Sequence, residues 1–346
     1  MVVLGIDAHK RTHTVVAVDE AGRQLGVRVT KSTSTAAHLD LVRWADQFGP
    51  DRQWAVEDCR HLSRRLEADL LAAGETITRV PPKLMAHCRD SARTYGKSDP
   101  IDALAVARAA LREPGLATAR LDGPERELRL LTGHREDLVA ERTRAICRLR
   151  WHLHELDPDW DPGPRTLTRK HTIAAVAGKL ETMTGLVARL AADLAARIAS
   201  LTAQVNALEK EIAVLVRQLA PSLLALPGAA ELTAAKIVAE TAGIDRFKSK
   251  DAYARHNGTA PLPVWSANRR RHRLSRTGNR QLNCAIHRIA VTQVRCHPDA
   301  QAYLKRRISA GDSKAEALRA LKRRLSDIIY RKLLADTAAM HVGQAA

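Results

Sequence analysis

Aromatic side chains are scarce in this sequence, at 3% of its 346 residues, which leaves little capacity for stacking contacts of any kind. Its five cysteines form no C-x-x-C pair, so neither a zinc site nor a disulfide framework is indicated. A signal peptide is absent, and so is any apolar run of membrane-spanning length. We therefore expect a cytoplasmic protein with no membrane partner.

Acidic residues are rare in the last third of the chain. Residues 221–346 carry 23 Lys and Arg against 9 Asp and Glu, and so hold 14 of the 18 net positive charges. A basic domain beside nearly neutral ones predicts a binder of polyanions, most often nucleic acid. With so few aromatics, phosphate contacts should dominate. Lys322-Arg323-Arg324 is one basic cluster, and the densest group is Arg269, Arg270, Arg271, Arg273, Arg276 and Arg280.

The first 115 residues show strand patterns in hairpins and then strands alternating with helices, which predicts an α/β sheet layered with helices. The order matches the ribonuclease-H-like (RuvC-like) fold, whose first and fourth strands carry carboxylates. Asp7 ends the first strand and Glu57 the fourth, while the neighbouring Asp58 faces the opposite side. The predicted elements are strands at 2–7, 13–18 and 24–30, a helix at 36–48, a strand at 53–57, a helix at 62–73, a strand at 76–80 and a helix from 99.

Two further carboxylates lie at the start of the last of these helices. Pro100 suits the first helical position, which makes Asp99 the expected N-cap, and Asp102 follows three residues later on the same face. Capping alone would account for this pair. If Asp7, Glu57, Asp99 and Asp102 converge instead, their repulsion calls for a divalent cation, and oxygen ligands indicate Mg²⁺ or Mn²⁺. Together with the basic tail, such a site predicts nuclease or transposase chemistry.

The middle of the chain is helical. Apolar residues recur every three or four positions from Leu186 to Leu219, and an earlier stretch from Ile146 to Leu156 steps in the same way. Three prolines and a glycine place a loop at 157–169. We expect a helical hairpin, packed either on itself or on a second subunit. The predicted domains are 1–115, a RuvC-like domain; 116–220, a helical hairpin or coiled coil; and 221–346, a basic, mainly α-helical domain.

The basic domain begins with a pattern typical of a helix-hairpin-helix element, in which the Leu226-Pro227-Gly228 turn would present backbone N–H groups to a phosphate. Residues 258–266 contain two prolines and are expected to form a loop.

Several motifs resemble those of one transposase family. The segments GIDAHK (5–10), AVED (55–58) and KSDPIDALA (97–105) are similar to the DEDD motifs of IS110-type insertion-sequence transposases, which include the Piv-type DNA invertases. The tail is similar too, in its LPG turn, its GTAP…WS stretch and its RLSRTGNRQL stretch. The resemblance covers nearly the whole chain.

The resemblance implies a catalytic and metal-binding role for Asp7, Glu57, Asp99 and Asp102, and a nucleophilic role for Ser266. It also implies partners: donor and target DNA and a bridge RNA from the element. A serine and a metal cluster in different domains further predict a composite active site, for which we expect a homo-oligomer, a dimer or a tetramer. Ser275 is the alternative nucleophile, although it also suits the ordering of the turn at 277–279.

Three hypotheses follow from these residues. The first is an RNA-guided DNA recombinase that works through a 5′-phosphoserine link. The second is a metal-dependent nuclease or Holliday-junction resolvase in which water attacks and Ser266 is structural. The third is a nucleic-acid-binding protein with an inert acidic site. A protein–DNA adduct that resists denaturation separates the first hypothesis from the other two.

Overall fold

The chain divides into two compact units, residues 1–123 with 245–253 and residues 124–244 with 254–346. The predicted division into three domains, with boundaries at 115 and 220, stays a prediction. No described helix combines the length and the hydropathy needed to cross a bilayer. The computed structural model describes residues 1–58, 60–90, 98–113, 115–116, 118–119, 123–266, 269–273 and 278–345, with the backbone alone at 60–61, 83, 90, 263–266, 269–273 and 341–345.

A five-stranded mixed sheet forms the centre of the first unit, in the order β3-β2-β1-β4-β5. The central strand β1 runs antiparallel to β2 and parallel to β4. This sheet confirms the predicted strands and is consistent with a ribonuclease-H-like fold. Its strands are β1 (Val2–Ala8), β2 (His13–Val18), β3 (Gln24–Thr30), β4 (Arg52–Glu57) and β5 (Ile77–Val80).

Helices cover both faces of the sheet because alternate residues of its inner strands are apolar on each side. Leu4 and Ile6 lie in one core with α1 and α2, whereas Val3 lies in the other with α3 and α4. Helix α3 was not predicted, because it directly follows a strand and has two prolines at its start. The helices are α1 (Thr35–Ala45), α2 (Arg60–Ala72), α3 (Pro82–Asp90) and α4 (Asp99–Arg112).

Helices dominate the second unit. Its elements are α5 (Glu125–Leu156), α6 (Lys170–Glu181), α7 (Leu186–Leu219), α8 (Pro221–Leu224), α9 (Glu231–Thr241), β6 (Leu262–Ser266), β7 (Arg269–Arg273), α11 (Arg280–Cys296), α12 (Pro298–Ser309) and α13 (Lys314–Ala345), and α10 (Lys250–His256) crosses from the first unit.

The predicted apolar seam of α7 packs against α5 within one chain. Ile198, Leu201 and Val205 are fully buried there. The two helices run antiparallel, since Arg135 bonds Glu209 at 2.6 Å while Arg197, further back along α7, bonds Glu141 further along α5. The seam is therefore used inside the protomer. The predicted loop at 157–169 is confirmed, with a single 3₁₀ turn at Thr166–Thr168.

The expectation of a loop through 258–266 is wrong for its second half. Leu262–Ser266 forms strand β6, which pairs antiparallel with β7, and Pro263 lies opposite His272. A two-stranded ribbon has only edge strands, so a proline whose missing N–H would face away from the partner is tolerated. Val264 and Trp265 favour the extended conformation.

Helix α4 lies directly on the backbone of β1 at Gly5. A Cβ added to Gly5 would lie 2.2 Å from the carbonyl oxygen of Ala103 and 2.5 Å from the amide nitrogen of Ala107. Both are backbone atoms, which cannot rotate away as a side chain can. Any larger residue at position 5 must therefore displace α4, whose first turn carries Asp99 and Asp102.

We expect Gly5→Ala to lower the thermal unfolding midpoint, because overpacking of this kind costs about 1–3 kcal/mol or more. Circular dichroism measures the change. Gly133→Ala in α5 is the matched control, since a methyl group there meets nothing within 4 Å and should be neutral or slightly stabilising. A Gly5→Ala variant as stable as the wild type would contradict the close packing.

Candidate active site

Two neighbouring parallel strands bring Asp7 and Glu57 together. Ile6 pairs with Val56, so Asp7 and Glu57 occupy the next position along each strand. Residues in register on parallel strands project to the same face of a sheet, here the face covered by α4. Asp7 is buried, at 8% exposure, and Glu57 is half-buried. This pairing follows from the apolar runs that precede each carboxylate.

The first turn of α4 supplies the other two carboxylates. The N-cap is Ser98, with extended backbone (φ −152°, ψ 154°), and the helix begins at Asp99 itself. The expectation that Asp99 caps this helix is therefore wrong, because Asp99 already lies inside the first turn. Asp102 is buried and Asp99 is exposed.

Two basic side chains that the sequence analysis did not assign lie among these carboxylates. His9 Nε2 donates to Asp7 Oδ2 at 3.0 Å and lies 3.5 Å from Asp99 Oδ1. Arg89 Nη1 donates to Asp102 Oδ1 at 3.1 Å. The available signal for His9 was its position two residues after Asp7. Arg89 gave none, because its helix α3 was not predicted.

Electrostatics link the members of the cluster. Burial raises the pKa of Asp7, and the charges of Asp102 and Asp99 add to that rise while His9 opposes it. Burial likewise raises the pKa of Glu57, again with contributions from Asp7 and Asp102 and opposition from Arg89. The structure therefore brings all four predicted carboxylates into one site of the first unit.

This donor set fits a divalent cation. Ligand atoms of Asp7, His9 and Asp99 lie within 4.8 Å of one another, which suits coordination of one ion. Two like charges about 4 Å apart repel by about 4 kcal/mol near a protein surface, and a bound cation would turn that repulsion into attraction. The carboxylate oxygens of this set suit hard divalent ions such as Mg²⁺ and Mn²⁺, whereas the imidazole nitrogen of His9 suits other divalent metals as well.

Asp58 does not replace Glu57 in this arrangement. It lies one residue beyond the end of β4, and its backbone N–H donates to the carbonyl oxygen of Val80 at 2.9 Å. Its charge raises the pKa of Glu57 less than burial, Asp7 or Asp102 does.

The predicted nucleophile lies in the second unit. Ser266 is the last residue of β6 and pairs with Arg269, the first residue of β7. Arg270, Arg271 and Arg273 follow on the same strand, and Arg280 begins α11. The alternative nucleophile Ser275 and the predicted DNA contact Arg276 lie outside the described residues.

Two glycines in backbone contact, Gly258 and Gly278, flank the segment that carries Ser266. A Cβ on Gly278 would lie 2.2 Å from the amide nitrogen of Gly258, so the two backbones touch. Gly258 also has φ +71°, a conformation that glycine adopts without strain. Beside them the amide N–H of Asn279 donates to the carbonyl oxygen of His256 at 2.7 Å.

Sequence comparison places the chain among the transposases. Residues 4–158 match a transposase family described as DEDD transposase IS110, and residues 220–305 match the transposase family IS116/IS110/IS902. The chain is 31% identical to the uncharacterized 44.8 kDa protein of insertion element IS116 from Streptomyces clavuligerus, over 95% of this chain and 94% of that protein. It therefore belongs to the IS116/IS110/IS902 family of insertion-sequence transposases.

A second relative agrees. The uncharacterized 42 kDa protein of insertion element IS900 from Mycobacterium paratuberculosis is 28% identical over 97% of this chain and 96% of its own length. Among solved structures, the chain is similar to Thermus thermophilus RuvC in complex with a Holliday junction substrate, at 18% identity over 32% of this chain and 91% of RuvC, with a TM-score of 0.26. That score is too low to carry an argument, so the assignment rests on the sequence matches.

The raised pKa values give the carboxylate cluster a testable dependence on pH. A carboxyl group with a raised folded-state pKa destabilises the fold as pH rises from its ordinary value, 3.8 for Asp7 and 4.5 for Glu57, through the raised one. Without divalent ions, we therefore expect Asp7→Asn to keep or raise the thermal midpoint at neutral pH. MgCl₂ or MnCl₂ should raise the wild-type midpoint, increasingly with pH, but not that of Asp7→Asn.

Asp19→Asn is the control for this measurement, because the Asp19 carboxylate only orders a turn by accepting the N–H groups of Ala21 and Arg23. It should retain the full response to metal. If neither ion changes the thermal midpoint of the wild-type protein at any pH, the cluster does not bind them.

Proposed function

We propose that this transposase cuts and rejoins DNA strands through a covalent 5′-phosphoserine link at Ser266, guided by a bridge RNA encoded by its element. The observation that carries the proposal is the convergence of four carboxylates at the ends of β1 and β4 and the start of α4, in a chain of a transposase family. The basic last third of the chain supports contacts to DNA and RNA phosphates.

Asp7, Glu57, Asp99 and Asp102 would hold Mg²⁺ or Mn²⁺. Such an ion supplies charge stabilisation to a phosphodiester under attack. The side chains of Asp7 and Asp102 are largely withdrawn from water, which strengthens their interaction with a cation. Arg89 keeps Asp102 oriented through its hydrogen bond, and His9 holds Asp7 and Asp99 close together.

The proposed nucleophilic step uses the β6–β7 hairpin. Ser266 Oγ forms a bond to the phosphorus, the bond from phosphorus to the 3′ oxygen breaks, and the serine proton passes through solvent to the released 3′-hydroxyl. A 3′-hydroxyl from another strand reverses these changes and regenerates the serine, so rejoining needs no external energy. The arginines of β7, together with Arg276 and Arg280, would hold the phosphate through paired N–H donors.

We also propose that the enzyme acts as a homo-oligomer, a dimer or a tetramer. Ser266 and the carboxylates belong to different units of the chain. Catalysis that requires both would be composite, and a second copy of the chain offers a way to complete it. The seam of α7 packs inside the protomer, so we place the contact between copies on another surface.

One observation favours a second function, a metal-dependent nuclease or junction resolvase. The four carboxylates, with His9 and Arg89, form a site built entirely from residues of the first unit. Such a site is sufficient for attack by water, and in that case Ser266 would only stabilise the hairpin.

The decisive experiment replaces the serine. Ser266→Ala should abolish both recombination and any DNA adduct that resists denaturing electrophoresis, because no other group at that position can form the phosphoester. Ser275→Ala should have a milder effect. Asp102→Asn should abolish strand exchange while leaving DNA affinity nearly unchanged, since it alters the metal site and not the basic surface.

Folding of each variant is checked by its thermal midpoint and its binding to labelled DNA. If Ser266→Ala still cleaves DNA in the presence of Mg²⁺, the water-dependent nuclease is the correct function. Loss of the adduct in Ser275→Ala but not in Ser266→Ala would reassign the nucleophile.

A further inference from the structure

A buried lysine in the second unit has no carboxylate partner among the residues that the structure describes. Lys322, on α13, is 7% exposed. Its ammonium donates to Asn283 Oδ1 at 2.6 Å, and among the described residues this is its single hydrogen bond, with no carboxylate oxygen within 4 Å. An ammonium carries three N–H donors, so two are available to a ligand.

Two other withdrawn cations among the described residues have acidic partners. Arg79 is buried against Glu67, 2.6 Å away, and Lys236 lies 2.8 Å from Glu136. Lys322 instead has a second cation, Arg280, as its neighbour. Burial lowers the pKa of Lys322, Cys284 opposes that shift, and the charge of Arg280 lowers the pKa further. Burial and the charge of Lys322 lower the pKa of His287.

These groups lie along one stripe of α11. Arg280, Cys284 and His287 follow one another at intervals of four and three residues, which places them on the same face of a helix. All three interact electrostatically with Lys322. Two positive charges therefore lie near each other, that of Lys322 withdrawn from water and that of Arg280 exposed.

Hydrogen bonds connect Lys322 to the base of the hairpin that carries Ser266. Asn283, the acceptor for Lys322, donates through Nδ2 to the carbonyl oxygen of Asn257 at 2.8 Å. Asn257 donates to Ser326 Oγ, also at 2.8 Å, one turn along α13 from Lys322. Asn257 directly precedes Gly258, and the hairpin segment (residues 259–277) begins at the next residue. Lys322 is thus two hydrogen bonds from the start of that segment.

We propose that Lys322 and Arg280 form a binding site for one backbone phosphate of the DNA, beside the base of the Ser266 hairpin. The inference rests on the proposed function and deepens it, because it assigns a particular phosphate contact that the arginine-rich strand β7 does not provide. A phosphate would supply the missing negative charge and accept the remaining N–H groups of Lys322. Asn283 then serves to orient the ammonium.

A purely structural role does not account for a lysine here. Burying a cation without an acid partner destabilises a fold, and an apolar residue of similar volume is often neutral or stabilising in its place. A ligand-binding role and a structural role therefore predict opposite effects of the same substitution on the free protein.

The test is Lys322→Met, which keeps most of the volume and removes the charge. We expect an equal or higher thermal midpoint for the free protein, together with about tenfold weaker binding of a fluorescein-labelled DNA duplex at moderate salt. In a KCl titration followed by anisotropy, the slope of log K against log salt should become about one unit shallower. Lys322→Arg should retain the wild-type slope.

Lys332→Met is the matched control, because Lys332 lies on the same helix and its Nζ donates to the carbonyl oxygen of Ser222 at 2.9 Å. It should lose no DNA affinity. A Lys322→Met variant with wild-type affinity and slope overturns the phosphate site, and so does one that loses stability and affinity together without recovery in Lys322→Arg. A loss confined to a labelled RNA hairpin overturns the assignment to DNA.

Failure of the proposed function gives a different result. A wild-type protein that does not bind the duplex would contradict both the DNA-directed function and the phosphate site. A wild-type protein that binds, with a Lys322→Met variant that binds equally, contradicts the phosphate site alone.

Discussion

Backbone contact between β1 and α4 at Gly5 is the constraint on which the candidate site depends. With no side chain between them, the helix lies against the central strand, and its first turn reaches the ends of β1 and β4. The positive end of the helix dipole favours acidic groups there. Four carboxylates that repel one another are thus held together by packing, and burial together with this repulsion raises the pKa values of Asp7 and Glu57.

One site in each unit carries a local charge imbalance, and the two imbalances are opposite in sign. Among the described residues, the site in the first unit gathers four carboxylates that His9 and Arg89 partly offset, and the site in the second unit withdraws Lys322 from water beside Arg280. Phosphodiester chemistry involves both a metal cation and a phosphate anion, and each site has a local excess of the charge that complements one of them. Each of these like-charged groups lowers the stability of the free fold, which is the expected cost of a preorganised site for a ligand of opposite charge.

The strands and the positions of Asp7 and Glu57 were predictable, because alternating or continuous apolar runs joined by short turns are typical of strands. The contacts of His9 and Arg89 were not, since they depend on tertiary packing and, for Arg89, on an unpredicted helix. The hairpin of Ser266 was missed because two prolines are more typical of a loop. Lys322 belongs to a Lys-Arg-Arg run, which in sequence is indistinguishable from a solvated surface.

The backbone contact between Gly258 and Gly278 allows the segment between them to be exchanged as one unit. Because the chain leaves and returns at nearly the same point, the residues in between can lengthen, shorten or change register without moving the helices on either side. The surroundings of Ser266, the proposed nucleophile, can thus diversify separately from the rest of the second unit. Replacing residues 259–277 by the corresponding segment of a relative, with Gly258 and Gly278 kept, would transfer the relative's serine and arginines together.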